Sequence, residues 1–143
     1  ERVSLRKPLL PSPANDRKKR KDMSVIFETR VVAIGPEALG MIEGANMLIL
    51  FGEGAPADLA EFCFTIDNKD LKGSIPVGGK LRIDQQEFVI TAVGDVVEKN
   101  LRNLGHISIH FDGSSAGSLP GTLHVEGESL PSLQDGTVIQ LLA

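Results

Sequence analysis

The side chains best suited to nucleophilic or metal chemistry are three histidines and one cysteine. His106 and His110 stand together in "NLGHISIHFDG" (103–113), and His124 follows in "GTLHVEG" (121–127). Spacing restricts what the first pair can do. In "HISIHF", Ile107, Ile109 and Phe111 alternate with His106, Ser108 and His110, the period-two pattern of a strand with one apolar and one polar face. On a helix, residues i and i+4 converge on one ion. On a strand, four steps of about 3.3 Å hold them roughly 13 Å apart. His106 and His110 therefore do not share an ion, no other Cys/His spacing resembles a ligand set, and no metal is expected.

Other familiar chemistries find no support. There is no G-x-S-x-G nucleophile elbow. "GSIPVGGKL" (73–81) has Ser74 and Leu81 where a phosphate-binding P-loop needs Gly and Ser/Thr. A lone histidine remains. A neutral imidazole nitrogen is a good nucleophile toward phosphorus and titrates near working pH. His106 follows Leu104-Gly105 at an expected helix-to-strand junction, where glycine permits close approach of a backbone or a ligand. Two readings stay open for it: a phosphoryl acceptor, or a solvent-facing strand side chain. His110, further along, reads as surface. His124 alternates with Leu123 and Val125, which suggests a polar-face position and a neighbour of His106 across a ladder.

The elements that must position these residues are mostly short strands. "SVIFETRVVAIG" (24–35) is rich in β-branched residues, and "NMLILFG" (46–52) is a continuous apolar run. "KLRID" and "EFVITAV" (80–84, 87–93) form a hairpin around Gln85-Gln86. "HISIHF" (106–111), "TLHVEG" (122–127) and "TVIQLL" (137–142) complete about seven strands. "PEALGMIEGA" (36–45) suits a short helix opened by Pro36. "DVVEKNLRNLG" (95–105) suits another, with Asp95 as N-cap, Glu98 three residues on and Gly105 as terminator. "GEGAPADLAEF" (52–62) is a loop leading to a helical turn or directly to "EFCFTI". The fold class expected is mainly β: a small barrel or sandwich with one or two short helices. A closed barrel is the more attractive, because closure leaves no exposed edge.

Composition bounds the rest. The chain's 143 residues allow about one domain. With neither Trp nor Tyr, the core must be aliphatic with Phe as its large ring. Cys63, the one cysteine, excludes an internal disulfide and suits a reducing cytosol. No apolar run approaches the length of a membrane span, and no apolar signal segment opens the chain. Charge divides the chain. Residues 1–22 carry eight Lys/Arg against three Asp/Glu, whereas the remainder carries seven against sixteen. Residues 1–22 are read as a disordered basic leader, native or not, and 23–143 as the folded body starting at Met23. "RKKRK" (17–21) alone would suggest nucleic-acid binding or nuclear targeting. The acidic body and the lack of Trp and Tyr for base stacking argue against a nucleic-acid partner.

A resemblance narrows the function. "GEGAPADLAEFCF", "DLKGSIPVG", "VITAVGDVVEKNLRNLGHISIHFDG" and "LPGTLHVEG" resemble, in order and over nearly all of the body, the glucitol/sorbitol-specific IIA component of the bacterial phosphoenolpyruvate-dependent phosphotransferase system. The resemblance implies a cytoplasmic phosphocarrier with a compact β-barrel-like fold. Its histidine would take a phosphoryl group from phospho-HPr and pass it to the IIB part of a polyol permease. Association with the IIB/IIC permease would be peripheral, and no cofactor would be needed. The chain departs from the family pattern at one place. There the acceptor histidine follows the cysteine as Cys-Phe-x-His, and here "CFTIDNKDLKG" (63–73) puts Ile66 at that position, which cannot carry phosphate. Asp67, Asn68 and Asp70 are not evident replacements. His106 and His124 do match the pattern. The sequence therefore supports two functions: a carrier whose acceptor is His106, with His124 and Ser108 in support, or a catalytically silent IIA-like binding or regulatory module.

Overall fold

Alternation shapes the longest strand, β1 (Val25–Ile34), which turns Phe27, Thr29 and Val31 inward and Glu28, Arg30 and Val32 outward, while Ile26 and Ile34 pack half-buried against the core. Seven further strands follow: β2 (Met47–Gly52), β3 (Phe64–Ile66), β4 (Lys80–Ile83), β5 (Gln86–Val93), β6 (Ile107–His110), β7 (Thr122–Glu126) and β8 (Val138–Leu142). This is a computed structural model, and it describes residues 23–116 and 119–143. The expectation of a disordered leader over 1–22 lies outside the described residues.

The strands close into a barrel in the order β1-β3-β2-β6-β7-β5-β4-β8. Closure pairs every strand on both sides, so no edge is left to template association. Most neighbours are antiparallel, but β2–β3 and β6–β7 run parallel. Antiparallel strands can turn directly into one another, whereas parallel ones need a longer connection. Between β2 and β3 that connection holds a four-residue helix, α2 (Ala57–Ala60). Between β6 and β7 it is the segment 111–121, whose described parts are 111–116 and 119–121. The expected fold class is observed, with one strand more than expected, β3, and three short helices rather than one or two. β3 is only three residues long, too short for a period to declare itself.

The core is aliphatic with Phe27, Phe64 and Phe88 as its rings. α1 (Ala38–Ala45) buries Ala38 and Ile42 and ends on Asn46 in the left-handed region, which Asn tolerates. α3 (Val97–Leu104) adds Val97 and Leu101 to the core. The expected Asp95 cap is not made. The helix starts after Val96 with no side-chain cap, and Glu98 Oε2 instead accepts a 2.7 Å hydrogen bond from the Ile75 N–H. Arg102 donates to the carbonyls of Leu71 and Gly73, so Glu98 and Arg102 of α3 together tie down the turn-rich segment 71–75. The β4–β5 turn falls at Asp84-Gln85, one residue earlier than expected. Asp84 takes φ +51°, a conformation Asp tolerates better than most, and its carboxylate accepts from the Val138 N–H of β8.

Candidate functional site

His106 is positioned by two glycines. Gly105 ends α3 with φ +69°. A Cβ there would stand 2.7 Å from the Gly52 nitrogen, and one on Gly52 would stand 2.7 Å from the Leu104 carbonyl oxygen. Glycine at both positions lets the α3–β6 turn press onto the end of β2. The adjoining residues are then forced together: the His106 ring stacks on Phe51, centroids 4.7 Å apart and planes at 21°. The half-buried imidazole loses hydration that would favour its charged form. Burial thus holds its pKa below the ordinary histidine value and favours the neutral form. Ser108 lies further along β6 on the same half-buried face, opposite Ile49 of β2 and Thr122 of β7.

On the inner side of the same junction lies Ile66. It pairs in register with Gly52, is 1% exposed, and its Cδ1 would meet a Gly105 Cβ at 3.6 Å. It forms the floor of an open cleft of about 200 Å³ lined by Gly52, Glu53, Asp67, Asn68, Lys69 and Leu104. Two of these side chains are already committed. Asp67 accepts from Thr29 Oγ1 and the Arg30 N–H, and Asn68 Nδ2 donates to the Glu28 carbonyl. Lys69 reaches across to donate to the Asn103 carbonyl at 2.9 Å, which brings a cation to the end of α3. The position where the family pattern has a histidine is thus a core isoleucine, and His106 leaves the same junction on the outside.

His124 and His110 form a separate group. The parallel register of β6 and β7 sets His110 opposite His124, ring centroids 5.8 Å apart. His124 is therefore the neighbour of His110 and not of His106. Nor does it sit on an open face, being only 3% exposed. The segment after β6 folds back over β7, its Gly113 N–H donating to the Val125 carbonyl and its Ser114 carbonyl accepting from Thr91 Oγ1. That return brings Asp112 between the rings. Its Oδ1 lies 2.9 Å from His124 Nδ1 and its Oδ2 lies 3.2 Å from His110 Nδ1. Ser114 N–H donates to the same carboxylate at 3.0 Å. Desolvation raises the Asp112 pKa, but the hydrogen bonds from His124 and Ser114 and the histidine charges outweigh it, and the carboxyl is held below its usual range. Asp112 is the member that linear reading missed. Its one signal was the His-x-Asp spacing, which shares a strand face.

Cys63 is buried, and burial raises its thiol pKa, so it offers no reactive thiolate.

Comparison with known proteins agrees with this architecture. A family profile described as the PTS system glucitol/sorbitol-specific IIA component matches residues 26–140. The PTS system glucitol/sorbitol-specific EIIA component of Escherichia coli (strain K12) is 42% identical over 118 residues, covering 82% of this chain and 95% of its own length. The component of the same name from Shigella flexneri is also 42% identical over 118 residues, with the same coverage. The crystal structure of a PTS system IIA component from Enterococcus faecalis V583 superposes with a TM-score of 0.72 at 24% identity, covering 82% of this chain and 100% of that one, a likeness of fold. With a barrel of this topology and a family match over most of its length, the chain belongs to the glucitol/sorbitol-specific IIA components of the phosphotransferase system.

Proposed function

We propose that the chain is a phosphocarrier that accepts a phosphoryl group from phospho-HPr on His106 and passes it to the IIB component of a polyol permease during sorbitol/glucitol uptake. The observation that carries the proposal is the state of His106: a neutral, half-buried imidazole stacked on Phe51 and borne on the junction that also floors the cleft at Ile66. In the forward step an imidazole nitrogen of His106 attacks phosphorus. The N–P bond to His106 forms as the N–P bond to the HPr histidine breaks, and the HPr imidazole leaves. In the return step the IIB cysteine attacks and the His106 imidazole leaves. Such a transfer asks chiefly for position and for donors around the phosphoryl oxygens. Lys69 supplies a cation beside α3, and Ser108 a hydroxyl on the His106 face. His124 supports the acceptor indirectly, by bracing β6 against β7 through Asp112.

An acidic body complements basic partner surfaces and speeds encounter more than it tightens binding. Among the described residues no helix is long and apolar enough to cross a membrane, so docking on the permease would be peripheral.

One observation favours a second reading. Ile66 is sealed in the core at the position of the family's acceptor, which suits a silent binding or regulatory module. Phosphorylation with phosphoenolpyruvate, Enzyme I and HPr decides between the two. An acid-labile phosphate on the wild type, absent in His106→Ala and retained in His110→Ala, is the expected result. No phosphate on the wild type, with HPr shown to be charged, leaves the silent module.

A further inference from the structure

We propose that His110, Asp112 and His124 form a site for a single divalent transition-metal ion, with Zn²⁺ as the best-suited occupant. One potential ligand atom from each of the three lies within 4.8 Å of the others. The Asp112 carboxylate stands 3.2 Å from His110 Nδ1 and 2.9 Å from His124 Nδ1. A tetrahedral zinc with bonds of about 2.0–2.2 Å keeps neighbouring ligand atoms about 3.3 Å apart. Small rotations of two imidazoles and one carboxylate therefore bring the three to bonding distance without moving β6 or β7.

Two nitrogens and one carboxylate oxygen make a borderline donor set. It favours Zn²⁺, Co²⁺, Ni²⁺ or Cu²⁺ over Mg²⁺ and Ca²⁺, which prefer all-oxygen ligands. Access is from one side. His124 is buried, whereas the His110 and Asp112 side chains are 30% and 31% exposed. Asp112 and Glu126 line an open groove of about 280 Å³, which supplies a negatively charged approach and room for water at the remaining coordination position.

Binding exchanges the Nδ1 protons that now bridge the histidines to Asp112 for the ion. On both rings the proton moves to Nε2, which on His124 is buried and has no partner among the described residues. With three protein ligands and an open fourth position, binding is expected to be weaker than in closed four-ligand structural sites. The other histidine and the cysteine do not compete, since Cys63 is buried away from solvent and His106 is held against Phe51.

The test uses the full, untagged chain, stripped with chelator and titrated with Zn²⁺ by calorimetry, with Co²⁺ absorption as a second readout and Mg²⁺ as control. The proposal expects one Zn²⁺ per chain, visible Co²⁺ ligand-field bands, and a Kd raised about tenfold or more in both His110→Ala and Asp112→Asn. It expects His106→Ala to bind Zn²⁺ as the wild type does. Absence of saturable Zn²⁺ binding, equal affinity for Mg²⁺, or unchanged affinity in His110→Ala would each overturn it. Because His110 is partly exposed, its variant remains informative if Asp112→Asn folds poorly.

Discussion

Replacing Gly105 with alanine tests the reasoning that places His106. Gly105 has φ +69°, a conformation that costs an L-residue about 1–2 kcal/mol. The new Cβ would stand 2.7 Å from the nitrogen and 2.8 Å from the Cα of Gly52, both backbone atoms that cannot swing aside. Overpacking of this kind costs about 1–3 kcal/mol. The stiffer unfolded chain returns roughly 0.4–1 kcal/mol. The net destabilisation expected of Gly105→Ala is about 2–4 kcal/mol. With a urea m-value of about 2 kcal/mol/M, the midpoint should fall by about 1–2 M. Gly40→Ala is the matched control. It lies inside α1 with nothing within 4 Å of its added Cβ, and should be neutral or stabilising by about 0.5–1 kcal/mol. Equilibrium unfolding followed by far-UV circular dichroism measures both. A loss below about 1 kcal/mol in Gly105→Ala, or an equal loss in the control, would refute the claim that this contact fixes the junction. The same variant should also slow phosphorylation of His106, since the turn that presents the ring has been displaced.

Further outcomes follow from the site. Burial lowers the His106 pKa, so the neutral acceptor should persist as pH falls through about 6.5, the ordinary histidine value, and be lost only below it. A phosphorylation rate that already halves near pH 6.5, with HPr charging held constant, would contradict this. The same depression means that His106 favours folding fully above that ordinary value, and that this contribution declines as the unfolded chain protonates below it. Asp112 is held below its usual range, so its contribution is present above about pH 4 and lost as pH falls through its folded value. Asp112→Asn should cost about 1 kcal/mol at neutral pH, limited by solvent screening, and flatten the acid limb of a pH–stability curve. Cys63, buried with a raised pKa, should resist a thiol reagent such as Ellman's in the native protein and react on unfolding; rapid native labelling would show that β3 opens readily.

Much of this molecule was legible before folding was considered. Alternation along β1 and β6, the continuous apolar run of β2 and the terminating Gly105 each depend on neighbours in the chain, so a linear pattern carries them. Local chemistry was less dependable where a tertiary partner competed. Glu98 was expected beside an Asp95 cap, but the Ile75 N–H offered it a better bond. The turn expected at Gln85-Gln86 moved to Asp84-Gln85, where Asp84 is anchored to β8.

The histidines mark the boundary most clearly. Sequence alone determined that His106 and His110 share a strand face too far apart to act on one ion, that Ile66 occupies the family's acceptor position, and which family the motifs resemble. Only the tertiary structure decided that β6 and β7 pair in parallel, that His124 therefore faces His110 rather than His106, and that Asp112 closes back between them. It alone also set His106 against Phe51, through the contact of Gly52 with Gly105. The physical reason is that strand register and loop return are long-range choices. They are made by closing the barrel around its core, and no short window of sequence carries the partner they select.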